Sequence, residues 1–128
     1  MLLASTLPNV NLLAVNVNYP SSYSALAVSA ILAHYGYPDV PVGLRRPFTD
    51  LAFFDTWFYQ VGEFASKVAF HWSGGTLPWG KAERAWTPVD LYRKVLSEQG
   101  DGSVTIASIG FLENVGSLCL LVLAWSCC

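Results

Sequence analysis

Charge is what this sequence has least of. Asp, Glu, Lys and Arg make up 12% of its 128 residues, about half of the roughly 25% found in an average domain. With 53% apolar residues and a mean hydropathy of +0.40, the chain is not of the disordered class. It is also short of polar surface for a free-standing globule, because a domain of this size leaves about a third of its unfolded surface in water. Such a composition suits a piece of a larger, well-buried protein. Its seven basic residues are scattered as Arg45, Arg46, Lys67, Lys81, Arg84, Arg93 and Lys94, and the net charge is -2. No basic stripe forms, which argues against a nucleic-acid polymer as partner, and no block of like charge marks an interaction tail.

Cysteine is nearly absent too. Cys119, Cys127 and Cys128 are the only three, and an odd number clustered at one end makes no disulfide framework and no zinc spacing. A terminal Cys-Cys pair can be lipidated in some small GTPases, but no nucleotide-binding motif accompanies it here. The apolar run Leu118 to Trp125 is far short of the ~20 residues that span a bilayer, so no membrane span is expected. Met1 to Val17 lacks an early Lys or Arg and is broken by Pro8, Asn9 and Asn11, unlike a secretory leader. There is no Gly-x-Gly-x-x-Gly, P-loop, Gly-x-Ser-x-Gly or His-Glu-x-x-His. The nine acidic residues are thinly spread, and none forms the close pair that acid/base catalysis uses. His34 and His71 are far apart in sequence. His34 reads as a surface or half-buried residue at a helix end, and the His71-Trp72-Ser73-Gly74-Gly75 stretch as aromatic packing or, less favoured, a pocket mouth.

What is present is an alternation of elements. Met1 to Thr6 reads as the last turn of a helix stopped by Pro8. Asn11 to Asn16 reads as a short strand whose continuous apolar centre suits a parallel sheet. A serine of Pro20-Ser21-Ser22 caps a helix that is apolar from Ala25 to Tyr35, with Gly36 as its stop and Pro38 barring continuation. Val40-Pro41-Val42 is a second strand. Residues 43–86 are irregular, apart from a helix over Asp55 to Val68. Thr87-Pro88-Val89-Asp90 is a helix start, with a cap, proline at the first position and an acid at the positive end. Leu91, Val95 and Leu96 give that helix an apolar face, and Gly100 ends it. Ser103 to Ser108 is β-branched and predicts a third strand, after which Gly110 turns the chain into a final helix. This order predicts an α/β fold with a parallel sheet.

In open parallel sheets ligands sit outside the carboxyl ends of the strands. Asn16 and Asn18 follow the first strand, and Gly110-Phe111-Leu112-Glu113-Asn114 follows the third. Asparagine offers both donor and acceptor atoms to a hydroxyl-rich ligand, although the same two asparagines could simply cap a turn.

These segments carry a family resemblance. Leu12-Leu13-Ala14-Val15-Asn16-Val17-Asn18, the helix to Gly36, Pro38-Asp39-Val40-Pro41-Val42 and Val104-Thr105-Ile106-Ala107-Ser108-Ile109-Gly110-Phe111-Leu112-Glu113-Asn114 together resemble the inosine/uridine-preferring nucleoside hydrolases of fungal type. The family writes the last block as an apolar strand followed by Gly-x-Leu-Thr-Asn, and Glu113 replaces its Thr. The resemblance implies a partial parallel-sheet, Rossmann-like nucleoside hydrolase fold over residues 1–114, followed by a divergent, cysteine-containing apolar tail over residues 115–128. It implies hydrolysis of the N-glycosidic bond of a small-molecule nucleoside to base and ribose. In the family one Ca2+ ion holds the ribose hydroxyls and an attacking water, and an Asp takes the proton. Carried over by position, Asn18 matches the pocket asparagine that binds substrate. Ile109 matches the residue whose backbone carbonyl is a calcium ligand. The family's Asp-x-Asp-x-x-x-Asp-Asp motif and its late His-Asp have no counterpart here, so the calcium site is incomplete and the chain alone is expected to be inactive. The alternative from the residues themselves is a non-catalytic, partner-binding module docking through Leu118 to Trp125.

Overall fold

The computed structural model describes residues 7–46 and 59–125. Its elements are strand β1 (Val15–Val17), helix α1 (Ser22–His34), strand β2 (Val42–Leu44), helix α2 (Tyr59–His71), a 3-10 turn at Ala82–Arg84, helix α3 (Pro88–Ser97) and helix α4 (Glu113–Trp125). Among the described residues this is a small α/β arrangement of four α-helices and one two-stranded parallel sheet.

Helix α1 forms where the sequence supplies both ends. Ser21 is extended (φ -121°, ψ 124°), and its Oγ accepts the Ser24 N–H at 3.3 Å. At the other end Tyr35 closes the helix and Gly36 turns out of it at φ +84°, a left-handed conformation that glycine adopts at little cost. Between the caps, Ala25, Leu26, Ala27, Ala30 and Leu32 are buried, along with Ser22 and Ser29. A helix buried on most of its faces has no strong polar side. It meets α2 more extensively than any other element, where the small buried residues Ala65 and Ala69 let the backbones approach. The Ser29 hydroxyl donates to the Gly74 carbonyl at 2.7 Å and accepts the Leu77 N–H at 2.9 Å. That pins the loop after α2 onto α1 and satisfies a buried polar group.

The chain leaves β1, crosses through α1 and returns as β2 in parallel, with Val15 opposite Val42, Asn16 opposite Gly43 and Val17 opposite Leu44. Parallel neighbours need such a crossover. Val42, Gly43 and Leu44 are all buried, whereas β1 is half-buried throughout. Leu44, Leu26, Leu32 and Leu77 anchor one core. Each fully buried leucine is worth about 1.5–3 kcal/mol of removed apolar surface.

Strand β1 is shorter than the sequence predicts, and both strands lie further along. The ladder opens at Pro41, whose carbonyl accepts the Val15 N–H at 3.1 Å. Proline has no N–H to contribute, so regular pairing on β2 begins one residue later. Helix α2 runs to His71, three residues past the predicted end, and its predicted start at Asp55 to Phe58 lies outside the described residues, as does the predicted turn at Met1 to Thr6. Helix α3 starts as predicted: the Thr87 hydroxyl accepts the Asp90 N–H at 3.4 Å with Pro88 next in line. It ends at Ser97, before Gly100.

The predicted third strand is not formed. Ser103 to Ser108 carries no strand pairing, and of these residues Val104 alone is half-buried, the others being exposed. The outer edge of β2 is taken by Trp86 instead. The Leu44 N–H donates to the Trp86 carbonyl at 2.9 Å, and the Trp86 N–H donates to Val42 at 3.0 Å. Strand propensity is a preference for a half-buried pleated surface, and no neighbouring strand offers Ser103 to Ser108 one. Helix α4 follows Gly110 as expected and runs unbroken across residues 114 and 115. No helix among the described residues is long and apolar enough to cross a membrane.

Candidate functional site

Four chain segments meet at the carboxyl end of the sheet. β1 delivers Asn18, β2 delivers Arg45 and Arg46, α3 opens at Thr87, and α4 opens at Glu113 and Asn114. The Arg45 N–H donates to the Val17 carbonyl at 3.1 Å, so the two strand ends are tied before their side chains diverge.

The clearest contact joins residues 95 positions apart: Asn18 Nδ2 donates to Glu113 Oε2 at 2.8 Å. The other carboxylate oxygen, Oε1, pairs with Arg45 Nη1 at 3.4 Å. Glu113 is also the first residue of α4, where a helix favours negative charge. The Asn18 amide first, then the Glu113 main-chain N–H and last the Arg45 guanidinium hold the Glu113 carboxyl below its ordinary value, because each interaction favours the ionised form.

Behind this contact two amide oxygens lack partners. Asn16 Oδ1 and Asn18 Oδ1 are buried and accept no hydrogen bond. Leaving such an acceptor unmet costs about 1–3 kcal/mol. Asn16 reaches its position because its cross-strand neighbour is Gly43, where a Cβ would overlap Asn16 Oδ1. The role of Gly43 is therefore to make room.

Beside the Asn18–Glu113 pair lies a pocket of about 220 Å³ lined by Arg45, Arg46, Thr87, Val89, Asn114 and Ser117. Arg46 Nη2 donates to the carbonyls of Ala85 at 2.6 Å and Glu83 at 3.3 Å, which fixes the guanidinium against the 3-10 turn. Its Nε is buried without a partner. A second cavity, of about 400 Å³, lies at the far end of α1 and is lined by Ala30, Ile31, His34, Tyr35, Val68 and Trp72. Its lining is mainly apolar. His71 packs edge-on against Phe70 and Trp72, with ring centres 5.4 and 5.8 Å apart. Trp72, rather than His71, reaches this cavity.

Of the two residues singled out by the family resemblance, Asn18 stands in the polar cluster. Ile109 lies in the exposed stretch before α4, with its side chain fully in solvent. Among the described residues no three His, Cys, Asp or Glu side chains gather to hold a metal. Calcium asks for six to eight oxygens, and Glu113 is already engaged by Asn18 and Arg45. These residues do not by themselves make a calcium cage. Sequence reasoning missed Arg45 and Arg46, which it treated as two scattered charges. The rule that ligands gather beyond strand ends would have found them had it been applied to the second strand as it was to the first and third.

No protein-family model matches the chain, and no curated protein or solved structure matches it either.

Proposed function

We propose that the carboxyl end of the sheet is a nucleoside-binding site of the nucleoside hydrolase kind, and that this chain binds there without hydrolysing. The observation that carries the proposal is the Asn18–Glu113 hydrogen bond. It joins the two blocks on which the family resemblance rests, and it joins them beyond the strand ends, where open parallel sheets bind ligands. The unpartnered Oδ1 atoms of Asn16 and Asn18 suit the hydroxyl donors of a ribose. Hydrolysis of the N-glycosidic bond needs a base to take a proton from water. Glu113 is a poor base, because its partners hold the carboxyl in the ionised, weakly basic state. No step through a calcium ion is derived from these residues.

The test is isothermal titration of the purified chain with inosine, uridine and ribose, alongside a base-release assay with and without calcium. Saturable nucleoside binding is expected. It should weaken about tenfold in Asn18→Ala, the effect of one lost hydrogen bond, with no base released. Absence of binding, or binding indifferent to Asn18→Ala, would sink the nucleoside reading. Release of base would overturn the claim that the chain does not hydrolyse.

One observation favours a second reading, a partner-binding module. Ile109, Phe111, Leu112 and Leu120 are each at least 67% exposed, an apolar patch of the kind that marks interaction surfaces. Light scattering separates the two: a single monomeric species that binds nucleoside argues for the first reading, and a defined oligomer that binds none argues for the second.

A further inference from the structure

The pocket beside the Asn18–Glu113 pair is lined by donors that suit an anion. We propose that it is an oxyanion site that takes a phosphate group. Two helices, α3 of ten residues and α4 of thirteen, begin at it, and the start of a helix presents N–H groups and partial positive charge to an anion. In α3 the first uncommitted N–H belongs to Val89, because Pro88 has none and the Thr87 hydroxyl takes that of Asp90. In α4 the Glu113 N–H is taken by its own carboxylate, and the N–H groups of Asn114 and Val115 precede any intrahelical partner.

Side chains in the pocket point to a ligand independently of the helix ends. Asn114 lines the pocket and is only 6% exposed, yet no hydrogen bond ties its amide to any described residue. Arg46 Nε is a buried donor with nothing to donate to. Two guanidiniums lie at this end of the sheet: Arg45 is paired with Glu113, and among the described residues Arg46 bonds only to neutral carbonyls. The Arg46 guanidinium is therefore without an ion-pair partner among the described residues. The Asp90 carboxylate, in the first turn of α3, is oriented by the Thr87 hydroxyl, which donates to its Oδ2. The Ser117 hydroxyl donates to Glu113 O, which leaves the guanidiniums, the Asn114 amide and the main-chain N–H groups as the anion's partners. About 220 Å³ is several times the ~30 Å³ share of one water molecule, enough for a tetrahedral oxyanion. None of these donors belongs to Asn16 or Asn18, so the inference stands apart from the nucleoside reading.

The experiment is two-dimensional amide NMR on the purified full chain, titrated with inorganic phosphate and, separately, with ribose 5-phosphate. Sodium chloride at matched ionic strength is the control. Saturable shifts are expected at the Asn114 side-chain amide and the Val89 and Val115 main-chain amides. Asn114→Leu, similar in size but without donors, should weaken binding at least about tenfold, the loss of one hydrogen bond to a charged group. Arg45→Met, which alters a partly exposed side chain, should weaken it too, and decides the matter if Asn114→Leu fails to fold. Equal affinity for the two probes identifies a site for the free ion, and tighter binding of the ester identifies a site for the phosphate of a larger ligand. The proposal falls if neither probe gives a saturable shift up to about 50 mM, well above the ~1 mM of a weak specific site. It also falls if chloride reproduces the shifts, or if both variants bind as the parent does.

Discussion

Helix α1 and the stretch from Ser103 into α4 are both largely apolar, yet they end in opposite environments. In α1 even the serines at 22 and 29 are buried, and Leu26 and Leu32 are 1% exposed. In the later stretch Ile106 is 41% exposed, Ile109 fully exposed, and Leu112 and Leu120 are 67% and 70% exposed. The difference is one of neighbours. Helix α1 packs against α2, β2 and the 3-10 turn. Ser103 to Ser108 has no strand beside it, and the outer edge of β2 is already closed by Trp86. Apolar character states what a segment would gain from burial, and the partner decides whether the gain is realised.

The strongest way to break this contrast is to make the same kind of cut in each region. Leu26→Ala should destabilise the chain by about 2–5 kcal/mol, because it removes a fully buried side chain and leaves a cavity. Urea unfolding followed by circular dichroism would measure it. Ile106→Ala, a cut of equal size in the exposed stretch, should change stability by no more than about 0.5 kcal/mol. A loss for Ile106→Ala approaching that for Leu26→Ala would mean that Ser103 to Ser108 is packed in solution, and the third strand predicted from its β-branched residues would have to be restored.

Legibility in the sequence follows the same line. Elements whose signals are local were readable. Ser21 and Thr87 cap helices with their own hydroxyls, and Gly36 leaves α1 in the conformation that glycine favours. Elements that depend on a distant partner were read less well. Strand β1 is three residues rather than six, since the ladder is set by where Pro41 can offer a carbonyl. The third strand failed for want of a neighbour. At the candidate site, Asn18 and the Gly110–Asn114 block could be named because they follow apolar runs. That Glu113 would be the atom-to-atom partner of Asn18, or that Arg45 would join them, depends on how α4 meets the sheet, and no spacing within one segment encodes that.

The Asn18–Glu113–Arg45 contact bridges the two regions, and the smallest predicted effect lies there. A carboxyl whose ionisation midpoint is lowered in the folded state adds stability at pH values above its unfolded midpoint and loses it as the pH falls through the folded one. The tie between strand end and helix α4 should therefore be intact at neutral pH and loosen only below the usual carboxylate range, about pH 4.3 for glutamate. Carbon NMR of the Glu113 carboxyl should give a midpoint below that range in the parent chain. Asn18→Ala should move it back upward, and further than Arg45→Met does, because the amide hydrogen bond is the larger cause of the shift. The pair is partly exposed, with side-chain accessibilities of 35% for Arg45 and 48% for Glu113, so added salt should erode the arginine contribution and spare that of the asparagine. If Asn18→Ala leaves the midpoint unmoved, the hydrogen bond is not made in solution. The late stretch would then be joined to the sheet by packing alone, and the two sequence blocks would no longer share a site.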